Sequence, residues 1–282
     1  IYLALTVLET VLLLCGGMPL FDSIVHALGT AGTGGFGIKA DSIASYSHFC
    51  QWVITVFMLL FGVSFNMYYL LLIKRWREVL KSNELKCYLG ISLAAMIIVV
   101  LSIMPLYGSI ADAVRLSAFQ VSSIVTTTGY ATADFDAWPS LAKAVLLILM
   151  FFGGCMGSTA GGLKMSRVTV LAQIARNDLR HALRPREVST VILNGRRVDA
   201  QGERQILSYF ALYIAVIGAV FLLISFEPFG IETNFSATVS CVNNIGPGFG
   251  QVGPSLSYAD YSAFSKLVLS FAMLLGLSLI HI

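Results

Sequence analysis

Residues 119–132 read FQVSSIVTTTGYAT: an apolar stretch of about ten residues, then hydroxyl side chains, then a glycine followed by a tyrosine. The same order recurs in HALGTAGTGGFG (26–37) and in SATVSCVNNIGPGFG (236–250). Aligning Gly34, Gly129 and Gly246 puts small or hydroxyl residues before each glycine and Phe, Tyr or Pro close after it. Repetition on this scale sets architecture before any single motif does. Each apolar piece is too short to cross a bilayer, which takes about 20 residues, so each reads as a re-entrant half-helix ending in an extended loop.

The flanks of the three segments are of another kind. Residues 10–21, 49–73 and 87–111 hold no Asp, Glu, Lys or Arg. Candidate spans lie at about 1–20, 49–73, 87–107, 140–175 (interrupted), 206–226 and 263–282. The order is therefore span, half-helix, glycine loop, span, three times over. The whole chain of 282 residues is 57% hydrophobic and 12% charged, about half the charge of a soluble domain. That excludes a soluble enzyme, a disordered chain and a secreted disulfide scaffold. The apolar runs are continuous rather than alternating, which argues against a membrane barrel. The expected class is an all-α membrane protein of repeated membrane-pore-membrane units around a central pore. Its divisions are 1–80, 81–180 with a broken second helix, a basic linker at 181–205, and 206–282.

Charge gives the orientation. Segments 74–86 and 164–204 carry fourteen Lys/Arg against six Asp/Glu, a net +8, whereas the glycine-loop side carries four against eight, a net −4. Positive-inside places the basic segments in the cytoplasm and all three loops outside, so the repeats are parallel. The net charge of +3 gives no reason to expect nucleic acid. Cysteines 15, 50, 87, 155 and 241 are scattered with no CxxC pair, and read as packing residues rather than a zinc site or disulfide frame.

Irregular backbone at membrane depth survives only where protein buries it or water lines it. Three glycine loops on one side are best placed around one aqueous axis, with carbonyl oxygens turned inward as in cation filters. The half-helices would end there with their negative dipole ends toward the ion. Residues 153–162, GGCMGSTAGG, put five glycines into ten positions of an apolar span. Each costs about 1 kcal/mol in a helix interior, so the span is expected to unwind into a flexible loop beneath the filter.

Other matches are weaker. Gly32–Gly37 fits GxGxxG without a surrounding βαβ pattern, and Gly157–Lys164 lacks the adjacent Gly-Lys pair of a phosphate loop. Asn234–Ser236 fits a glycosylation triplet but reads as a helix cap. Glu9 is a lone carboxylate within a span. The rival functions are a Na⁺- or H⁺-coupled potassium symporter and an intramembrane enzyme. The first calls for inverted repeats and paired intramembrane carboxylates. The second calls for a nucleophile–base pair or HExxH at span depth.

The motifs MPLFDSIVHALGTAGTGGFG (18–37), TTTGYATADFDAWP (126–139), GGCMGSTAGGLK (153–164), HALRPREV (181–188) and NNIGPGFG (243–250) together resemble the Trk-type potassium uptake proteins, relatives of the Ktr and HKT transporters. The resemblance runs over residues 1–276. It implies four membrane-pore-membrane repeats around one pore, of which this chain holds the second to fourth. It implies filter carbonyls from Gly32, Thr33, Gly34 and Gly35, from Thr127, Thr128, Gly129 and Tyr130, and from Asn244, Ile245, Gly246 and Pro247. It also implies a gate formed by Gly153, Gly154, Gly157, Ser158, Thr159, Gly161, Gly162 and Lys164. Such proteins are multi-pass in the bacterial inner membrane and move K⁺ without a covalently bound cofactor. They form homodimers, and a cytosolic nucleotide-binding subunit of the RCK type regulates them, for which the basic 164–204 segment is the expected docking face. One departure is local: the family continues the last span with Gly-Arg and a carboxylate, whereas here Leu277–Ile282 follow Gly276. That tail reads as translated adapter sequence, and with the start at Ile1 it suggests a chain cut at both ends.

Overall fold

The computed structural model describes residues 1–184 and 190–280. Residues 185–188 of the HALRPREV motif, part of the expected docking face, and the last two residues of the tail fall outside the described residues. The first unit runs through α1 (Tyr2–Cys15), α2 (Leu20–Ala31), α3 (His48–Phe61), α4 (Phe65–Leu72) and a short α5 (Trp76–Lys81). The second comprises α6 (Asn83–Tyr107), α7 (Ile110–Val125), α8 (Ser140–Leu149) and α9 (Met165–Leu183). A two-stranded antiparallel hairpin, β1 (Ile192–Leu193) and β2 (Arg196–Arg197), precedes the third unit of α10 (Ala200–Ile224), α11 (Ile231–Val242) and α12 (Ala263–Ile280).

The helix starts follow local chemistry. Ser47, Ser109 and Asp199 accept backbone N–H groups of α3, α7 and α10, and Pro19 and Pro139 precede α2 and α8. Helix α6 stops at Gly108, whose φ of 62° is the left-handed cap that glycine adopts without cost.

The packing inverts that of a soluble protein. Half-helix α7 is buried on every side from Leu116 to Val125, and two hydroxyls at its C-terminal end turn back on the helix's own carbonyls: Ser122 Oγ to Ala118 O and Thr126 Oγ1 to Ser122 O, both 2.6 Å. The long helices α6 and α10 instead present Leu93, Leu101, Leu212 and Leu222 outward. Small polar residues inside and large apolar ones outside suit a chain whose solvent is hydrocarbon. The main core joins the second and third units, and a smaller one, built on Leu13, Ile54 and Phe61, reaches Phe119 and Tyr130 of the second.

The span pattern needs two corrections. Among the described residues, α6 and α10 alone are long and apolar enough to cross a membrane as single helices; α3 with α4 adds a third only as a bent pair. The expected continuous span 49–73 turns by 90° after Phe61. Gly62 sits at the turn because the Tyr88 hydroxyl and the Thr126 methyl occupy the space a Cβ would need. Its freed carbonyl accepts the Cys155 N–H at 2.8 Å. Asn234 is also not a cap: Gly230 begins α11, and Asn234 is buried one turn in, where its Oδ1 accepts the Tyr261 hydroxyl at 2.8 Å.

Candidate functional site: three loops over a glycine-rich segment

Helices α2, α7 and α11 end at Gly32, Thr126 and Asn243, and each hands over to a loop of one backbone design. Thr33, Thr127 and Asn244 have φ of 50°, 55° and 56°, and two residues on Gly35, Gly129 and Gly246 have φ of 65°, 84° and 111°. Between them, the N–H groups of Gly34, Thr128 and Ile245 each reach back to a carbonyl five residues earlier, at 2.8, 2.8 and 2.9 Å. A left-handed residue other than glycine costs about 1–2 kcal/mol, and a β-branched one is a genuine outlier. Such strain persists only where the surroundings over-determine it, and here it occurs three times at equivalent positions.

The shared geometry shifts the register of the first repeat. The glycine equivalent to Gly129 and Gly246 is Gly35, not Gly34, so the first four-residue window is Thr33–Phe36 and Gly32 is the helix cap. The pair Gly34-Gly35 offers two candidates by letters alone, and φ separates them.

The loops meet in chain order. A Cβ on Gly35 would lie 1.9 Å from the Thr128 carbonyl oxygen, and one on Gly129 would lie 2.0 Å from that of Ile245. Only glycine fits so close to a neighbouring backbone. Gly246 faces no atom within 4 Å. All three glycines line one cavity of about 330 Å³, with Ala131, Pro247, Lys39 and Tyr258 on its rim.

Side chains brace the loops from behind. The Tyr130 hydroxyl lies 3.2 Å from His26 Nδ1 and donates toward the Phe36 carbonyl at 3.3 Å, which ties the second loop to the first. Ser123 Oγ donates to Tyr130 O at 2.6 Å, and the Tyr258 hydroxyl to Gly246 O at 2.7 Å. Glu9 is fully buried in α1 and lines none of this cavity.

Between α8 and α9 the chain is non-helical, as the five glycines predict. Residues 153–164 fold back so that Gly153 N–H meets Leu163 O at 2.9 Å. The loop touches all three repeats. Gly161 N–H donates to Thr127 Oγ1 at 2.6 Å, Thr33 Oγ1 donates to Thr159 O at 3.1 Å, and a Cβ on Gly161 would lie 2.5 Å from Asn243 O. Lys164 is 5% exposed, and its ammonium folds onto the Ser158 and Ala160 carbonyls. Phe65 N–H, freed by the bend before α4, donates to Gly157 O at 3.3 Å. An unpaired backbone group in hydrocarbon costs several kcal/mol, so these contacts decide where the loop can rest.

Re-entrant half-helices that deliver strained loops to one cavity, on a scaffold of outward-apolar helices, define a membrane protein of the pore-loop class. The family model described as "TrkH: Cation transport protein" matches residues 1–279, and the chain belongs to that family. It is 31% identical over 269 residues to the Trk system potassium uptake protein TrkG of Escherichia coli K12, covering 92% of this chain and 54% of that protein. It is 30% identical to the Trk system potassium uptake protein TrkH of Salmonella typhimurium, covering 98% of this chain and 58% of that protein. The crystal structure of the potassium transporter TrkH from Vibrio parahaemolyticus superposes with a TM-score of 0.91 at 29% identity, over 99% of this chain and 60% of that one. The chain thus spans little more than half the length of these relatives.

Proposed function

We propose that this protein takes up potassium through a channel-like pore in the bacterial inner membrane. Backbone carbonyls of Thr33–Phe36, Thr127–Tyr130 and Asn244–Pro247 act as the filter, and loop 153–162 acts as the gate beneath it. The observation that carries the reading is the threefold backbone pattern, left-handed residue then left-handed glycine, converging on one cavity. Carbonyls held by strain and by Ser123, Tyr130 and Tyr258 are positioned before an ion arrives, so they can replace its hydration shell. The C-terminal ends of α2, α7 and α11 add partial negative charge at the same place. Passage of one charge through 100 mV releases about 2.3 kcal/mol, enough to concentrate K⁺ without a chemical step.

The loops of this chain form an open arc. Gly35 and Gly129 each abut the next loop, while Gly246 has a free face. A fourth loop of the same build closes the ring there; the greater length of the relatives agrees with this. The basic segments face the cytoplasm, where a nucleotide-binding RCK-type subunit docks on a homodimer of the full-length protein.

Two measurements on the full-length protein test the reading. Gly129→Asp puts a side chain where the Ile245 carbonyl already sits, and rubidium uptake should be lost; wild-type uptake would remove the filter from this position. Deleting 157–161 should raise basal uptake in a normally expressed protein; unchanged or lower uptake would remove the gate from this loop.

A further inference from the structure

Loop 153–162 is gripped from below as well as from above. Glu84, in the first turn of α6 and 3% exposed, accepts the Met156 N–H at 2.5 Å, and the Ser166 N–H of α9 reaches the same carboxylate. Immediately before it, Ser82 Oγ and Asn83 N–H both donate to Asn194 Oδ1 at 3.1 Å. Asn194 and Gly195, with φ of 49° and 80°, form the tight turn between β1 and β2. That turn type suits Asn-Gly and holds its first side chain in a set direction. The hairpin is also tied to α9. Gln173 donates to Ile192 O at 2.9 Å and accepts Ile192 N–H at 3.0 Å, and Val191 packs on Val170 and Ile174. The hairpin is therefore a strap between α9, which leads out of the loop, and the start of α6, which holds the loop. Arg196 and Arg197 are exposed on it, within reach of anything that binds the basic face.

We propose that Asn194 and Glu84 are positioning residues that couple the hairpin to loop 153–162. A displacement of the hairpin passes through Ser82 and Asn83 to the Glu84 carboxylate and so to Met156. The coupling stands on its own geometry; its effect on ion flow rests on the gate reading above. The contacts differ in what their loss does. Asn83 sits at an exposed position, and its N–H can turn to water when Asn194 is shortened, so the fold survives. Glu84 is itself buried and touches the loop directly, so its loss frees the Met156 N–H outright.

The test uses full-length protein in lipid vesicles, with hydrogen–deuterium exchange over 153–164 and rubidium flux measured on the same preparations. Asn194→Gly keeps the positive φ and deletes the acceptor; exchange of the loop should rise about 3- to 10-fold, within the range of a lost hydrogen bond. Asn194→Asp keeps the oxygen and should restore wild-type exchange. Glu84→Ala should raise exchange further, and adding Asn194→Gly to it should change nothing more, since both act through one route. Unchanged exchange in Asn194→Gly, or additive effects in the double variant, overturns the coupling. If Glu84→Ala fails to reach the membrane, the Asn194→Gly and Asn194→Asp pair decides alone. Raised exchange with unchanged rubidium flux upholds the coupling and overturns the gate reading instead.

Discussion

The Thr127 hydroxyl oxygen accepts the Gly161 N–H at 2.6 Å, so the second glycine loop and segment 153–164 share a buried hydrogen bond. Thr127→Val keeps the shape of the side chain and deletes the acceptor. The Gly161 N–H, which is buried, is then unpaired, at a cost of about 1–3 kcal/mol. The loop should leave its resting place more often. Basal rubidium uptake in Thr127→Val is expected to exceed wild type about 5-fold or more, with expression unchanged. Thr127→Ser retains the oxygen and should behave as wild type.

Gly129 and Gly246 share a conformation but not a neighbour. At Gly129 an added methyl meets the Ile245 carbonyl oxygen at 2.0 Å, whereas at Gly246 it meets nothing within 4 Å. On this chain's own contacts, Gly129→Ala incurs both strain and a clash, and Gly246→Ala incurs strain alone, about 1–2 kcal/mol. In the full-length protein the proposed fourth loop fills the space beside Gly246. Both variants are then expected to lose uptake to a similar extent. A clearly milder Gly246→Ala in a rubidium assay would show that no fourth backbone lies there.

How much of this was readable from residue order depends on where each feature is decided. The half-helix before each loop is decided locally, by about ten apolar residues and a glycine, and so could be found at 26–37, 119–132 and 236–250. The unwound segment at 153–162 likewise follows from its own five glycines. The first loop's register could not be settled that way, because Gly34 and Gly35 are chemically identical and only the contact with Thr128 chooses between them. The bend after Phe61 was hidden for a related reason: Tyr88, Thr126 and Cys155, far along the chain, supply the contacts that make Gly62 necessary. The hairpin at 192–197 lay within a stretch read as a basic linker, although its Asn194-Gly195 pair is a strong hairpin signal.

On the glycine-loop side, the Glu227 carboxylate accepts the Ser262 hydroxyl and the Ser262 N–H at 2.5 and 3.0 Å. These bonds, with Ser265 nearby, hold its pKa below the usual glutamate value. A carboxyl group whose pKa falls on folding stabilises the fold above its unfolded pKa, and that contribution disappears as pH drops through the folded value. Thermal unfolding of the wild type should therefore lose ground on acidification below about pH 4. Glu227→Gln should flatten that part of the profile by lowering stability at neutral pH toward the value the wild type has in acid. A profile identical to wild type would mean the serine contacts do not hold in the membrane.

Tyr130 links two loops through one oxygen. Its ring is fully buried, and its hydroxyl contacts His26 Nδ1 and the Phe36 carbonyl of the neighbouring loop. Gly29 leaves room for that hydroxyl, since a Cβ there would lie 2.3 Å from it. Tyr130→Phe preserves the ring packing and removes only the tie. Unpairing a buried partner costs about 1–3 kcal/mol, too little to unfold a scaffold this size but enough to let the two loops move independently. Carbonyls that move independently discriminate less between ions of different radius. The expected outcome is near-normal expression and rubidium uptake, with sodium competing several-fold more strongly than in wild type. Gly29→Ala, which pushes the same hydroxyl aside, should reproduce the effect. Unaltered sodium competition in both variants would mean that filter geometry is set by the backbone strain at Thr33 and Thr127 alone.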